Sequence, residues 1–285
     1  MQKGVFNKPL LAPSNKFSFM SYIGFHKLES LWRIDYKAKA MEPLLSRSSG
    51  RGQGAKAPER PAKELGIGIG TAPLICGGRA VITGNAVKGV FRHLLAAQLT
   101  GAGIPVCVQD VTLEGVVLPE EIGRKRQCAP DDPCFLCIWF GTVGRQGMLH
   151  FSFLRSVGAA EDVVSEEPIP LLALSEVHAA TKGKMLTFLT PVKEGTEFEG
   201  WISGENLSRE ILGAIKEVED MSRRGFLRFG GFKTRGFGAV EMELTRIERY
   251  RPAPFGLEEA YEGESLRRLL EDCQGAYCSL LKRGH

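Results

Sequence analysis

Three of the seven cysteines, Cys128, Cys134 and Cys137, fall within one short stretch of the chain. Close spacing of this kind in a reducing compartment suits a metal better than a disulfide framework. A tetrahedral structural zinc needs a fourth ligand, and the residues offer His93, Cys107, His150 and Cys76. Four protein ligands leave no open position for water, so such a centre is structural. Two further stretches gather cations beside exposed backbone. In Gly84–Arg92, a helix start is followed by Asn85, Lys88 and Arg92, with Lys88 and Arg92 four apart on one face. Free N–H groups at a helix N-terminus with two cations beside them suit a phosphate. In Gly230–Gly238, four glycines surround Lys233, Thr234 and Arg235, with Arg223, Arg224 and Arg228 upstream. Glycines there allow close backbone approach, the cations attract an anion, and Phe232 and Phe237 can pack or stack. The alternative for each stretch is structural: a solvated helix face, and a tight turn with phenylalanines in the core.

The elements that must hold these residues follow from periodicity. Glu29–Ala40 alternates as a strand and places Lys37 and Lys39 on one face. Residues 46–80 are rich in Ser, Gly, Pro and charge and read as a long flexible loop carrying Arg47, Arg51 and Arg79. Asn85 caps a predicted helix to Thr100, with Val87, Val90, Phe91, Leu94 and Leu95 as its buried stripe. Residues 102–141 form an insertion around a short strand, Val106–Val117, and the cysteines. Strands are expected at Met148–Arg155, Lys184–Thr190, Phe198–Ile202 and Ala239–Ile247, and a second helix at Leu207–Arg224 with Gly225 as its stop. Residues 252–285 read as a helical extension built on an amphipathic helix from Leu257 to Leu281. The order of strand, helix, strands, helix, strand fits an α+β fold, a ferredoxin-like (RRM-like) βαββαβ palm with large insertions.

Composition narrows the function. The 285 residues are 43% hydrophobic, enough for a substantial core. No apolar run approaches the roughly 18–20 residues of a membrane span, and Met1–Leu11 lacks a secretory pattern. A soluble, cytoplasmic protein without a membrane partner is expected. The net charge of +4 conceals a split: residues 1–109 carry 15 basic and 5 acidic side chains, while residues 110–285 carry 22 and 28. The basic part suggests a polyanionic partner. No aspartate occurs between Asp35 and Asp110.

Taken in order, the motifs carry a resemblance. The Asn85–Arg92 segment resembles the S-x-K-G-x-x-R helix start of the RAMP superfamily of CRISPR-associated proteins. Cys137–Thr142 resembles its C-x-x-F-G element, Glu194–Phe198 its P-x-G-t-x-F strand, and Gly230–Gly238 its G-G-x-K-[ST]-R-G-F-G loop. The resemblance implies a single RAMP domain over 1–285. It further implies a backbone subunit (Cas seven-type, similar to the type III-D and type VII branch) of a class 1 CRISPR effector complex. Such a subunit binds crRNA, stacks head to tail with copies of itself, meets a complementary target RNA or DNA, and joins other effector subunits including a separate nuclease. A thumb-like hairpin is placed within 156–190, around Leu171–Met185, carrying Lys182 and Lys184. The implied RNA-binding set is Lys37, Lys39, Arg47, Arg51, Arg79, Asn85, Lys88, Arg92, Lys182, Lys184, Arg228, Gly231, Lys233, Thr234, Arg235 and Gly236. Relatives that pair a helix histidine with three cysteines favour His93 with Cys128, Cys134 and Cys137 as ligands of one structural zinc per chain.

Active relatives cut target RNA with an acidic residue, usually aspartate, in the loop between first strand and first helix. Here that loop lies in the aspartate-free stretch, and its only carboxylates are Glu42, Glu59 and Glu64. A general-base or metal-assisted mechanism needs a placed carboxylate, so the chain is expected to bind without cutting. The competing reading is an active endoribonuclease, either a target slicer using Glu42 or Glu64 or a guide-processing enzyme using His26.

Overall fold

Strand β1, Leu31–Ala40, sorts its side chains by alternation: Ile34, Tyr36, Ala38 and Ala40 are buried, while Arg33, Lys37 and Lys39 are exposed. A strand with one apolar and one charged face must cover the apolar face, and helices do so here. The computed structural model describes residues 27–46, 72–107, 128, 132–174 and 181–284, without side-chain detail for 172–174, 181–187 and 284. Arg47 and Arg51, most of the 46–80 loop, and the strand expected beyond Cys107 lie outside the described residues.

The short strands β2 (Ile75–Cys76) and β3 (Arg79–Ile82) form a hairpin that leads into helix α1, Gly84–Gly101. The helix cap is Thr83 and not Asn85: the Thr83 hydroxyl accepts from the Ala86 N–H. Val87, Phe91, Leu95 and Leu99 are its buried stripe, each contributing about 1.5–3 kcal/mol by leaving water. A short helix, α2 (Phe135–Phe140), follows the cysteines. The expected single strand at 148–155 is two, β4 (Leu149–Phe151) and β5 (Leu154–Ser156), both paired with β8 (Glu197–Glu205). Ser152 breaks them, its hydroxyl accepting from the Trp201 N–H while its own N–H donates to the Trp201 carbonyl. Between β5 and β8 lie the single turn α3 (Ala160–Val163) and a separate two-stranded hairpin, β6 (Ile169–Leu174) with β7 (Thr181–Leu189).

Helix α4 (Arg209–Arg223) ends at Gly225, whose φ is +80°, and strand β9 (Val240–Pro252) returns beside β1. The eight-stranded sheet runs β10-β9-β1-β8-β5-β3-β2 with β4 also on β8, and all its pairs are antiparallel. The expected helix from Leu257 starts later. Phe255–Glu262 is strand β10 on the edge of β9, and α5 occupies Gly263–Leu281. The reason is local: an apolar stripe at helical spacing begins only at Leu266, and Glu262 with Ser265 forms a reciprocal capping box that fixes the start.

Three helices lock together through polar side chains over a common core. Tyr277 of α5 donates to Gln98 of α1, Gln98 donates to Glu217 of α4, and Gln274 of α5 donates to Glu217 and Asp220. At the α4–α5 crossing a side chain on Gly213 would stand 2.1 Å from the Cys273 carbonyl oxygen. Gly213→Ala therefore lowers stability by about 1–3 kcal/mol through overpacking. Gly275→Ala, exposed in open space on the same α5, raises it by about 0.4–1 kcal/mol. Urea denaturation of both variants checks the opposite signs.

Candidate nucleic-acid interface and metal centre

The glycine-rich loop is held by the segment that follows β1. The Gly231 N–H donates to the Leu45 carbonyl, the Gly238 N–H to Pro43, and the Met41 N–H to Ala239. Side chains at Gly230 and Gly238 would lie 2.2 Å from the Leu45 and Phe229 carbonyl oxygens, and both residues have positive φ, so neither position admits a Cβ. Between them, Phe232 sits in the left-handed region at φ +58°, followed by a 3₁₀ turn over Lys233–Arg235 and Gly236 at φ +78°. A bulky residue with positive φ is a costly conformation that the surroundings must enforce. Here the enforcing contacts are apolar: Phe232 and Phe237 pack with Leu45, Leu189, Ile169 and Leu171 in a second small core. That core joins the loop to the base of the β6–β7 hairpin. The result is four consecutive exposed residues, Lys233, Thr234, Arg235 and Gly236, on a rigid mount. Gly231 and Gly236 have open space where a Cβ would stand.

Arg228 was grouped with these cations by sequence, and its geometry gives it another task. It makes two hydrogen bonds to the Glu42 carboxylate, at 2.5 and 3.0 Å, and one to the Phe237 carbonyl, while Glu42 also accepts from the Ala239 N–H. The Arg228 hydrogen bonds, followed by the Ala239 N–H and the guanidinium charge, outweigh partial burial and hold Glu42 below the usual carboxylate range. Arg228 is a brace of the loop, and Glu42 is a committed anion.

A second concave region lies between α1 and the chain leaving α2. Asn85, Lys88, Gly89 and Arg92 form one wall, and Phe140 to Val143 and Arg145 to Gly147 with Leu149 and His150 form the other, around a volume of about 520 Å³. Burial, and then Arg92 beside it, push the Lys88 ammonium below its usual pKa. An anion in the cleft would relieve both effects. Phe151 fixes the two walls from beneath, edge-on to Phe91 at 5.4 Å and stacked with Phe140 at 6.0 Å. Thr142, Arg145, Gln146 and His150 are lining residues that sequence reasoning missed. The tight turn at Gly144, φ +80°, just after the C-x-x-F-G element was the available signal.

Arg92 does not project freely into this cleft. Its guanidinium donates to the Leu136 carbonyl at 3.0 Å and to the Cys107 sulfur at 3.6 Å. Cys107, Cys128, Cys134 and Cys137 have their sulfurs within 4.8 Å of one another and could hold a metal ion. The expected fourth ligand, His93, is exposed and outside this group, so Cys107 replaces it. The reason is helical geometry: the residues of α1 that face the cysteines belong to the row of Arg92, and the next residue turns outward. None of the seven cysteines is in a disulfide. Hydrogen bonds among the sulfurs and burial push the Cys107 thiol up, and hydrogen bonds from Cys107 and Cys137 hold Cys134 low. Burial pushes Cys128 up to about 11. Four-sulfur sites with metal–sulfur bonds of about 2.3 Å place their sulfurs about 3.8 Å apart. The 3.7 Å separation of Cys107 from Cys134 matches that edge, and the 3.1 Å separation of Cys107 from Cys137 is shorter, so a bound ion would part those two sulfurs.

The remaining expected residues are scattered. Lys37 and Lys39 are exposed on the open sheet face, but the register sets Lys37 between Glu199 and Glu243 and Lys39 between Glu197 and Glu241. Such rows carry more negative than positive charge and repel a phosphate backbone. Arg79 donates to the Ser156 carbonyl. Lys182 and Lys184 lie on β7, where only the backbone is described.

The family model of the RAMP superfamily matches residues 65–241, well over half of the chain. The chain belongs to the RAMP superfamily. The match spans α1, the cysteine centre, the hairpin and the whole glycine-rich loop, and it places the protein among CRISPR-associated RNA-binding proteins. No curated protein matches the sequence. Among the described residues of this RAMP protein, no helix is long and apolar enough to cross a membrane.

Breaking the Glu42–Arg228 brace tests the geometry of the loop. With a folded-state pKa below the unfolded one, Glu42 contributes stability above the ordinary glutamate pKa and loses it as pH falls through the lowered value. Glu42→Gln is therefore less stable than the parent at pH 7, and the difference shrinks under acid. Urea midpoints at pH 7 and in acid check both halves; an equal deficit at both pH values contradicts the ionic brace.

Proposed function

We propose that this RAMP protein is a crRNA-binding backbone subunit of a class 1 CRISPR effector complex. It stacks head to tail along the guide and holds the guide–target duplex for a separate nuclease. The observation that carries this reading is the apex Lys233–Gly236: two exposed cations beside glycine, mounted rigidly and joined through one small core to a separate two-stranded hairpin. Cations on a fixed mount track a phosphate backbone without reading bases, which leaves sequence to base pairing. Lys88 and Asn85 in the α1 cleft supply a second contact, and the β6–β7 hairpin acts as the thumb.

Strand order supports a ferredoxin-like palm. Strand β1 is flanked by β9 and β8, with β4 and β5 beyond β8, and α1 and α4 make the two crossovers. This is the antiparallel order of a βαββαβ unit, here extended by β10, β3 and β2. The four-cysteine group is read as one structural zinc, held by Cys107, Cys128, Cys134 and Cys137. When bound, zinc supplies a cross-link between segments distant in sequence; its four thiolate ligands leave no place for a reacting water.

The protein is proposed to bind without cutting. Residues 36–109 contain no aspartate, and Glu42, the only carboxylate among the described residues between β1 and α1, is engaged by Arg228. A carboxylate held low by an arginine is a weak base. Glu59 and Glu64 lie outside the described residues.

Purified protein is expected to carry RNA, with binding that weakens steeply as salt rises. Lys233→Ala combined with Arg235→Ala removes about two phosphate contacts and flattens the log–log salt slope by about 1.4 for single-stranded RNA. RNA-free protein with salt-insensitive binding contradicts the proposal. Labelled target RNA added to the assembled complex stays intact when the partner nuclease is omitted; cleavage that persists identifies an active endoribonuclease. Elemental analysis gives one zinc per chain, lost in Cys134→Ser.

A further inference from the structure

The metal centre and the α1 cleft share a residue. One wall of the cleft is α1, and the other is the chain that continues directly from α2 through Phe140 and Gly141. The four cysteines come from both sides: Cys107 follows the end of α1, Cys134 stands at the N-terminal cap of α2, and Cys137 lies within α2. Arg92, on the α1 wall, spans the same divide. Its Nη1 donates to the Leu136 carbonyl of α2 at 3.0 Å and its Nη2 to the Cys107 sulfur at 3.6 Å.

We propose that Arg92 is a positioning residue of the metal centre, not a phosphate ligand, and that metal loading sets the spacing of the cleft walls that present Lys88 to RNA. The proposal rests on the reading that Lys88 grips the guide backbone. A guanidinium is planar and offers its donors in a fixed fork, so one edge serves a carbonyl and a thiolate together. An N–H donated to a metal-bound thiolate is charge-assisted, and outer-shell partners of this kind typically change metal affinity 10–100-fold. Metal bound by Cys107, Cys134 and Cys137 would join α1 to α2, and Arg92 is the second tie across the same seam. Lys88, one turn earlier on α1, lines the cleft directly.

The test uses the full chain with Lys88→Ala, Arg92→Ala and Arg92→Lys. Zinc affinity is measured by competition with a chromophoric chelator, and RNA affinity by titration over a range of salt, with and without saturating zinc. Arg92→Ala is expected to weaken zinc 10–100-fold. At saturating zinc it should regain the parent's RNA affinity with an unchanged log–log salt slope. Arg92→Lys keeps the charge but loses the fork, and it should resemble Arg92→Ala in zinc affinity. Lys88→Ala should leave zinc affinity unchanged and flatten the slope by about 0.7. Unchanged zinc affinity in Arg92→Ala overturns the proposal, as does a slope flattened by about 0.7 at saturating zinc with recovery in Arg92→Lys. If the parent binds no RNA, the functional reading fails, and the zinc arm still decides the role of Arg92.

Discussion

Six residues after β1, Met41–Ser46, hold together parts of the chain that would otherwise be unrelated. Their backbone pairs with the glycine-rich loop at Ala239, Gly231 and Gly238, with Val192 beyond the hairpin, and with Leu74 before β2. Their side chains add the Glu42–Arg228 ion pair and the burial of Leu44 and Leu45. Backbone groups buried in such a junction must be paired, so each partner constrains the others. The apex of the glycine-rich loop and the base of the hairpin are fixed relative to one another because both are fixed to this segment. Two rigidly related cationic and projecting elements are what a protein needs to follow a nucleic-acid backbone with a regular geometry.

The same logic explains why the loop is rich in glycine. Gly230 and Gly238 are demanded by approach to carbonyl oxygens, whereas Gly231 and Gly236 have free space. The first pair serves the fold. The second pair leaves room beside Lys233 and Arg235 for a phosphate to approach the main chain, with the Gly231 N–H already given to the Leu45 carbonyl. Phe232 shows the strain this arrangement tolerates: a phenylalanine with positive φ persists because its ring is packed and Arg235 lies over it at 5.8 Å.

Much of the fold was legible in the sequence, and the exceptions have physical causes. The alternation of β1 and the stripes of α1 and α4 marked those elements to within a few residues, because burial on one face imposes a period. The start of α5 was misplaced because the residues of β10 carry an acidic, half-apolar pattern that fits either state, and only pairing with β9 decides it. Within the candidate site, the position of Lys233, Thr234, Arg235 and Lys88 beside glycine or a helix start was legible in the sequence. The carboxylate neighbours of Arg228, Lys37 and Lys39 were not, for a common reason. These neighbours, Glu42 and the glutamates of β8 and β9, are remote in sequence and adjacent only across strands. The fourth cysteine shows the same limit, since Cys107 stands 21 residues before Cys128 and reaches it only after α1 has ended and the chain has turned back.

The charge split takes on a different meaning in three dimensions. The open face of the central sheet, where many α+β nucleic-acid binders display aromatic and basic side chains, carries Arg33 over the exposed Trp201 at one end and interleaves Lys37 and Lys39 with four glutamates at the other. Cations available to a polyanion sit instead on the glycine-rich apex and at the α1 cleft. The glutamate-rich end of the sheet would discourage RNA from lying across Lys37 and Lys39, since like charge repels the phosphates at contact distances where screening is weakest. Under the proposed binding by appendages, the mounts would be decisive: affinity would depend on how firmly Met41–Ser46 holds the loop and how a metal at the cysteine centre spaces the cleft. The brace at Glu42 and the tie at Arg92 would then matter to RNA binding as much as the lysines proposed to touch it.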